Sequence, residues 1–470
     1  MNSAFFYNLC LMGYFTALMV YILNLALKRG MIRRTATVLV AVSFLLETLG
    51  MVFRWMEAGA VEVAAAERST GEALHGLSYF MVFTQHPPWS NLYEIMVYMS
   101  WGLILVFLVM EVKWRIRFLG IFALILALSA LGLASLTDGM IKPLVPALKS
   151  WWIMIHVISA SIAYAAGTLA AVASLLYLLK AKSRISMSTL ASGVMAVSAF
   201  LGILLGRGLQ LFTTASYKAK LVKLMDDDVV VVGRVMNDKL IPYYAEMRWV
   251  GPLLLVFVCL CIFSSVVLFR QGKRWDVPPI WAESTYFAAL CFLVATIGAI
   301  LWNDWTQTRV VVDSHAALDL VPGGPWRFHL RSNAWDLGLF GIILLGQVFV
   351  GMGLLFPRRL RALLPDETKL DRIAYANVMV AFALVAVVLV TGALWAHYAW
   401  GRYWGWDPKE TGALVIWITY ALYLHARITY GWTGTRSAVI SIFGFFVILA
   451  GFLGVNLGWF ADGLHSYGSG

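Results

Sequence analysis

The chain has 470 residues, 61% of them hydrophobic and 13% charged, with a mean hydropathy of +0.79. That balance excludes a water-soluble globular domain and points to a polytopic membrane protein. The formal charge of +11 comes as short basic clusters between apolar runs, which reads as membrane topology and excludes a nucleic-acid partner.

A helical span needs about 20 apolar residues. Windows of that size predict twelve spans, at 5–27, 36–54, 92–110, 116–135, 151–179, 188–207, 249–269, 284–302, 335–356, 373–395, 411–430 and 438–459. The expected fold is an all-α polytopic bundle. Lys and Arg gather in alternate connections, at Lys28–Arg34, Lys113–Arg117, Lys180–Arg184, Arg270–Arg274, Arg358–Arg361 and Arg427–Arg436. The positive-inside rule then puts these in the cytoplasm and both termini outside. The first span runs into Lys28 and lacks a basic leader, so it reads as a retained span with an outer N-terminus.

The outer connections carry most of the remaining polar residues. Trp55–Ser90 is acidic and ends in His86-Pro-Pro-Trp-Ser-Asn-Leu-Tyr-Glu94. Phe212–Arg248 suggests a short hairpin involving Val229–Val232 and Leu240–Tyr244, and Asn303–Asn333 reads as irregular loop. His75, His86, His315 and His329 fall in these connections and are expected to be solvated. Cys10, Cys259, Cys261 and Cys291 lie within apolar runs and are expected to be small buried residues. Glu47 also falls inside a span, where it must be protonated or paired, with Arg54 one candidate partner.

The most distinctive segment is Trp400-Gly-Arg-Tyr-Trp-Gly-Trp-Asp-Pro-Lys-Glu410, between two apolar runs. Asp407, Pro408 and Glu410 spell a helix start: an N-cap, a first-turn proline and a capping-box partner. Trp400, Trp404 and Trp406, with glycines removing bulk between them, form either an interfacial aromatic belt or a platform for a flat apolar ligand. Arg402 and Lys409 could hold acidic groups of such a ligand.

Two histidines from remote parts of the sequence are expected at the same face. His156 lies near the outer end of the fifth span, and His465 just beyond the last. Imidazoles on opposite sides of a porphyrin iron are standard axial ligands. His397 is a competing ligand. His425 would sit about 25 Å along a helix from Pro408, as a relay ligand or as an interfacial residue beside Arg427.

These residues together resemble the haem-handling family with the tryptophan-rich WWD signature, and within it the CcsA/ResC-type membrane subunits of system II cytochrome c synthases. The stretches that carry the resemblance are Ser90–Glu94, Trp151–Tyr164, Trp400–Glu410, Tyr420–Arg427 and Val455–Gly468. The resemblance implies a holocytochrome c synthase (haem lyase) in the plasma membrane, its haem site facing the periplasm or extracytoplasmic space. Haem b, ferrous in that family's chemistry, would reach an outer site held by His156, His465 and the tryptophan loop with Asp407. His425 would be a membrane relay. Thioether bonds would then form to the Cys-X-X-Cys-His motif of apocytochrome c, with a CcsB/ResB-type subunit as partner. The rival readings are a haem transporter or chaperone without ligation, and a polytopic transporter without haem. The resemblance covers 1–185 and 365–470, with 186–364 expected to be an inserted four-span segment with two outer loops.

Overall fold

In the computed structural model, the described residues are 2–456 apart from 28–29, 85, 90, 117, 136–138, 142, 145–147, 182–186, 207–208, 226–227, 232, 237–238, 243, 248, 273–278, 307–310, 313–326, 329–333 and 357–360. Twelve long helices occupy the twelve apolar windows. They are α1 (Ser3–Leu27), α2 (Gly30–Thr70), α4 (Leu92–Trp114), α5 (Phe118–Ser135), α6 (Trp151–Lys180), α7 (Met187–Leu205), α9 (Val250–Gly272), α10 (Pro279–Thr306), α11 (Ala334–Leu355), α12 (Glu367–Trp400), α13 (Pro408–Thr429) and α14 (Thr435–Asn456). Two short helices, α3 (Gly76–Thr84) and α8 (Leu209–Thr214), lie between them. Among the described residues, nine helices are long and apolar enough to cross a membrane. The chain is a polytopic helical membrane protein.

The chain divides into two compact units. The first comprises Met1–Ser135, Gly139–Ala181 and Leu363–Gly470, the second Leu136–Asp138 and Lys182–Ala362.

In the first unit, α1 and α2 form a hairpin and α12 packs along α6, which also touches α4 and α14. Small residues let α6 do this. A Cβ at Gly102 of α4 would lie 2.8 Å from the Ser161 carbonyl, and one at Gly167 would lie 2.3 Å from the Tyr420 hydroxyl. Helices in lipid gain little from hydrophobic burial against one another, so close approach and hydrogen bonds hold them together.

Those hydrogen bonds form a ladder. Tyr7, Tyr14 and Tyr21 recur every seventh residue, about 10 Å apart along α1, and all three are buried. Tyr14 donates to Glu47 at 2.7 Å and Tyr21 to Glu111 at 2.8 Å, while Thr37 donates to Glu111 at 2.6 Å. Glu47 is therefore bonded to Tyr14. Its suggested partner Arg54 instead pairs with Glu94 at 2.9 Å, because α4 brings that carboxylate alongside.

α2 corrects the reading of Trp55–Ser90 as an outer loop. The helix continues for 41 residues, about 60 Å, twice the thickness of a hydrocarbon core. The run Ala64-Ala-Ala66 with Glu57, Glu62 and Glu67 consists of strong helix formers, which explains the extension. Two of the four cysteines also depart from expectation: Cys10 and Cys261 are buried, whereas Cys259 and Cys291 are exposed on their helices. An apolar span of a membrane helix has lipid-facing as well as bundle-facing positions, so apolar context alone does not imply burial.

Among the described residues, the second unit departs from all-α in two small antiparallel sheets. β1 (Lys218–Met225) pairs with β2 (Asp228–Val231), β5 (Tyr244–Glu246) and β7 (Arg327–Phe328), and β5 pairs with β6 (Val311–Val312). β3 (Gly233–Met236) and β4 (Lys239–Pro242) make a separate hairpin. The 212–248 region thus holds strands, in more pairings than the single hairpin expected. α10 also extends to Thr306, so the Asn303–Asn333 connection starts as helix. The helices of this unit pack chiefly as α7 with α9, α9 with α10, and α11 with α7 and α10.

Candidate functional site

The tryptophan segment joins α12 to α13. α12 stops where Gly401 adopts φ +72° and donates its backbone N–H to the His397 carbonyl at 2.8 Å. Glycine carries this left-handed conformation without a Cβ penalty. α13 starts at Asp407, whose carboxylate accepts the Lys409 backbone N–H at 2.9 Å. Glu410 reaches back to the N–H groups of Asp407 at 3.2 Å and Gly405 at 2.7 Å. The capping box read from sequence is therefore present, and it also pins the preceding loop.

Within that loop, Trp406 sits at φ +56° and is 71% exposed. A non-glycine residue in this region costs about 1–2 kcal/mol, and such strain persists where flanking bonds impose it. Trp404 meets Trp406 edge-on at 5.7 Å. The Arg402 guanidinium lies against Gly405, where a Cβ would come within 2.2 Å of Nη1. Burial pulls the Lys409 ammonium below the usual lysine range, with Asp407 opposing. The loop is thus a fixed turn carrying exposed aromatic faces beside two cations.

His156 lies in the second turn of α6, at the same end of the unit. Its Nδ1 is 2.9 Å from the Val388 carbonyl of α12, and its ring is 6.5 Å from Trp395. Trp395 is buried and meets Trp400 edge-on at 4.9 Å. A continuous set of contacts therefore links His156 to the base of the tryptophan loop. Trp395 and Gly392, which faces the His156 ring, were absent from the sequence expectations because both sit in an unremarkable apolar run. Their spacing with Val388, at four and then three residues, is the signal that places them on one helical face.

The other predicted residues fall differently. His397 stacks on Tyr403 at 4.2 Å with rings 5° from parallel. His425 is exposed near the far end of α13, with Tyr430 edge-on at 5.6 Å and the Thr429 hydroxyl 3.4 Å from Nδ1. Arg427, two residues on, pairs with Asp371 at 2.9 Å and lies over the Tyr375 ring. His465 lies outside the described residues, as do His315 and His329. Among the described residues, no group of three or more His, Cys, Asp or Glu could hold a metal ion.

His86 is the clearest correction. It is completely buried, not solvated, with Nδ1 3.2 Å from Glu62 of the extended α2. Glu62 also bonds Lys149 and accepts the Leu144 backbone N–H at 3.0 Å. Burial pulls the His86 imidazole below the usual histidine range, against Glu62 and Glu94. This knot ties the segment preceding α6 to α2. The sequence concealed it because the helical extension of α2 was not expected.

The cytochrome C assembly protein family model matches residues 89–224 and 340–460, and the chain belongs to this family. Among its curated relatives is a cytochrome c biogenesis protein CcsA from Trichormus variabilis, 30% identical over 389 residues, covering 81% of this chain and 80% of that protein. The CcsA of Rippkaea orientalis is 28% identical over 443 residues, 91% of this chain and 95% of its own. A CcsA from Prochlorococcus marinus (strain NATL2A) is 50% identical over a shorter stretch of 103 residues.

Proposed function

We propose that this protein takes part in cytochrome c biogenesis by presenting haem at the end of the bundle that carries the tryptophan loop. The observation that carries the reading is the placement of His156, through Trp395, beside an aromatic turn with Arg402 and Lys409. An imidazole supplies one axial position for porphyrin iron, indoles offer flat apolar contact, and cations suit the propionates. His465 would supply the second axial position and His425 an earlier station for haem crossing the membrane. The alternating basic clusters support an extracytoplasmic location for the site, in the plasma membrane.

The chemistry proposed there is addition of each cysteine thiol of an apocytochrome Cys-X-X-Cys-His motif across a haem vinyl group. A C–S bond forms, the thiol proton ends on the neighbouring carbon, and no external oxidant or reductant is consumed. The chain's contribution is positioning. Fixing the porphyrin converts an encounter between two molecules into an oriented step, an effect reaching roughly 7–11 kcal/mol in favourable cases. A CcsB/ResB-type subunit is the proposed partner.

The test is the absorption spectrum of the full chain purified after haem-replete expression, with an apocytochrome reporter scored for covalent haem. His156→Ala and His465→Ala should each weaken haem ligation and maturation, with added imidazole restoring part of both. Unchanged haem spectra in both variants would sink the axial assignment. Ligated haem without covalent product, even with the partner present, would favour a haem chaperone over a synthase.

A further inference from the structure

We propose that one face of α12, formed by the Val388 carbonyl, Gly392 and Trp395, is a cradle that fixes the protonation and orientation of His156. The inference rests on the proposed role of His156 and assigns Gly392 and Trp395 as positioning residues.

A carbonyl oxygen can only accept a hydrogen bond. The 2.9 Å contact from His156 Nδ1 to the Val388 carbonyl therefore requires the proton on Nδ1. In a neutral imidazole the lone pair must then lie on Nε2, which makes Nε2 the metal-binding nitrogen. Metal-ligating histidines commonly have their second ring nitrogen held by a backbone carbonyl or carboxylate, which fixes the tautomer and raises ligand basicity.

Gly392 makes this contact possible. A Cβ there would lie 2.9 Å from His156 Cε1 and 3.0 Å from Nδ1, so any side chain would push the ring off the carbonyl. One helical turn before Gly392 is Val388, and three residues after it is Trp395, whose buried ring flanks the imidazole at 6.5 Å. The ring is thus bounded by a hydrogen bond, a close backbone and an indole. Trp395 also contacts Trp400, so the cradle and the tryptophan loop share one support.

The test uses the full chain in lipid nanodiscs titrated with haemin, read by the Soret band and by electron paramagnetic resonance of the ferric iron. Gly392→Ala should lose haem affinity by about 10–100-fold, the range expected for loss of an outer-sphere partner. Added imidazole should restore the six-coordinate signature. Gly132→Ala, at a glycine with no atom within 4 Å of its Cβ position, should change nothing. If Gly392→Ala does not fold, replacement of His156 by Nδ1-methylhistidine decides: Nε2 can still bind iron, but the carbonyl bond is gone. Comparable loss there supports the cradle. Wild-type affinity and signature in the methylhistidine protein, with His156→Ala impaired, would overturn the cradle and leave the haem site standing. Wild-type behaviour in His156→Ala would overturn the proposed haem site itself, and the cradle's role with it.

Discussion

The two compact units use different interiors. Among the described residues, every buried charged side chain belongs to the first: Glu47, Arg54, Glu62, Glu94, Glu111 and Asp407, with His86 beside them. The buried polar groups of the second are neutral: Ser192, Ser198, Ser264, Thr296, Asn303 and Gln347. Ionisable groups within a membrane bundle are expensive and are kept where they fix a geometry or serve a function. The first unit also holds the tryptophan loop and His156. Its carboxylates join helices that would otherwise have little reason to hold one register: Glu47 and Glu111 tie α1 to α2 and α4, and Glu94 ties α4 to α2.

That contrast predicts a steep cost for breaking the first unit's ion pairs. Glu94→Ala leaves the Arg54 guanidinium buried without its carboxylate, although its contact to the Gly139 carbonyl survives. Removal of one partner from a buried pair costs about 3–5 kcal/mol. The thermal unfolding midpoint in detergent should fall further than for Gly167→Ala, Tyr14→Phe, Gln347→Leu or His86→Asn. A midpoint within error of wild type would show that the pair does not hold α2 against α4.

Close packing is the next largest effect. Gly167→Ala directs a methyl group onto the Tyr420 hydroxyl of α13 and onto the Ile448 side chain of α14, the latter a helix packed on α6. Overpacking of this kind costs about 1–3 kcal/mol. The same change at Gly298 of α10, where nothing lies within 4 Å, should be silent. Equal midpoints for the two alanine variants would refute the tight α6 seam.

A paired comparison sharpens the difference between units. Tyr14→Phe removes the hydrogen-bond partner of a fully buried carboxyl group and should cost about 1–3 kcal/mol. Gln347→Leu, in the second unit, removes an amide whose side-chain contacts are the sulfurs of Met195 and Cys261, at 3.7 and 3.6 Å. Sulfur is a weak acceptor, so this near-isosteric change should cost less than about 1.5 kcal/mol. Equal losses would erase the distinction drawn between the interiors.

The twelve helices were legible because a span's length and hydropathy are local properties, and the Asp407–Glu410 cap was legible because it lies within four residues. Burial of His86 was not, since it depends on an α2 extension that brings Glu62 alongside. The Arg54 pairing was hidden for a similar reason: sequence proximity favoured Glu47, but the partner comes from α4. His156 could be singled out as a histidine near a span's end, whereas the carbonyl that orients it lies 232 residues away. Long-range pairing, more than helix formation, is what the linear pattern leaves open.

His86 gives the subtlest test of the first unit's interior. Its burial favours the neutral ring, Glu62 and Glu94 favour the charged one, Lys149 opposes charge, and burial prevails. The folded-state value is thus depressed relative to about 6.5 in the unfolded chain. Above that pH neither state binds the proton, and stability is unaffected. As pH falls below it, the unfolded chain takes up a proton that the folded chain still refuses. Stability is therefore lost on acidification, by at most about 1.4 kcal/mol per pH unit, until the folded-state value is reached. His86→Asn should flatten the midpoint's dependence on pH below about 6.5, whatever it does to the midpoint at neutral pH. An unchanged slope would mean that the imidazole is already charged against Glu62, making the knot an ion pair and not a neutral buried contact.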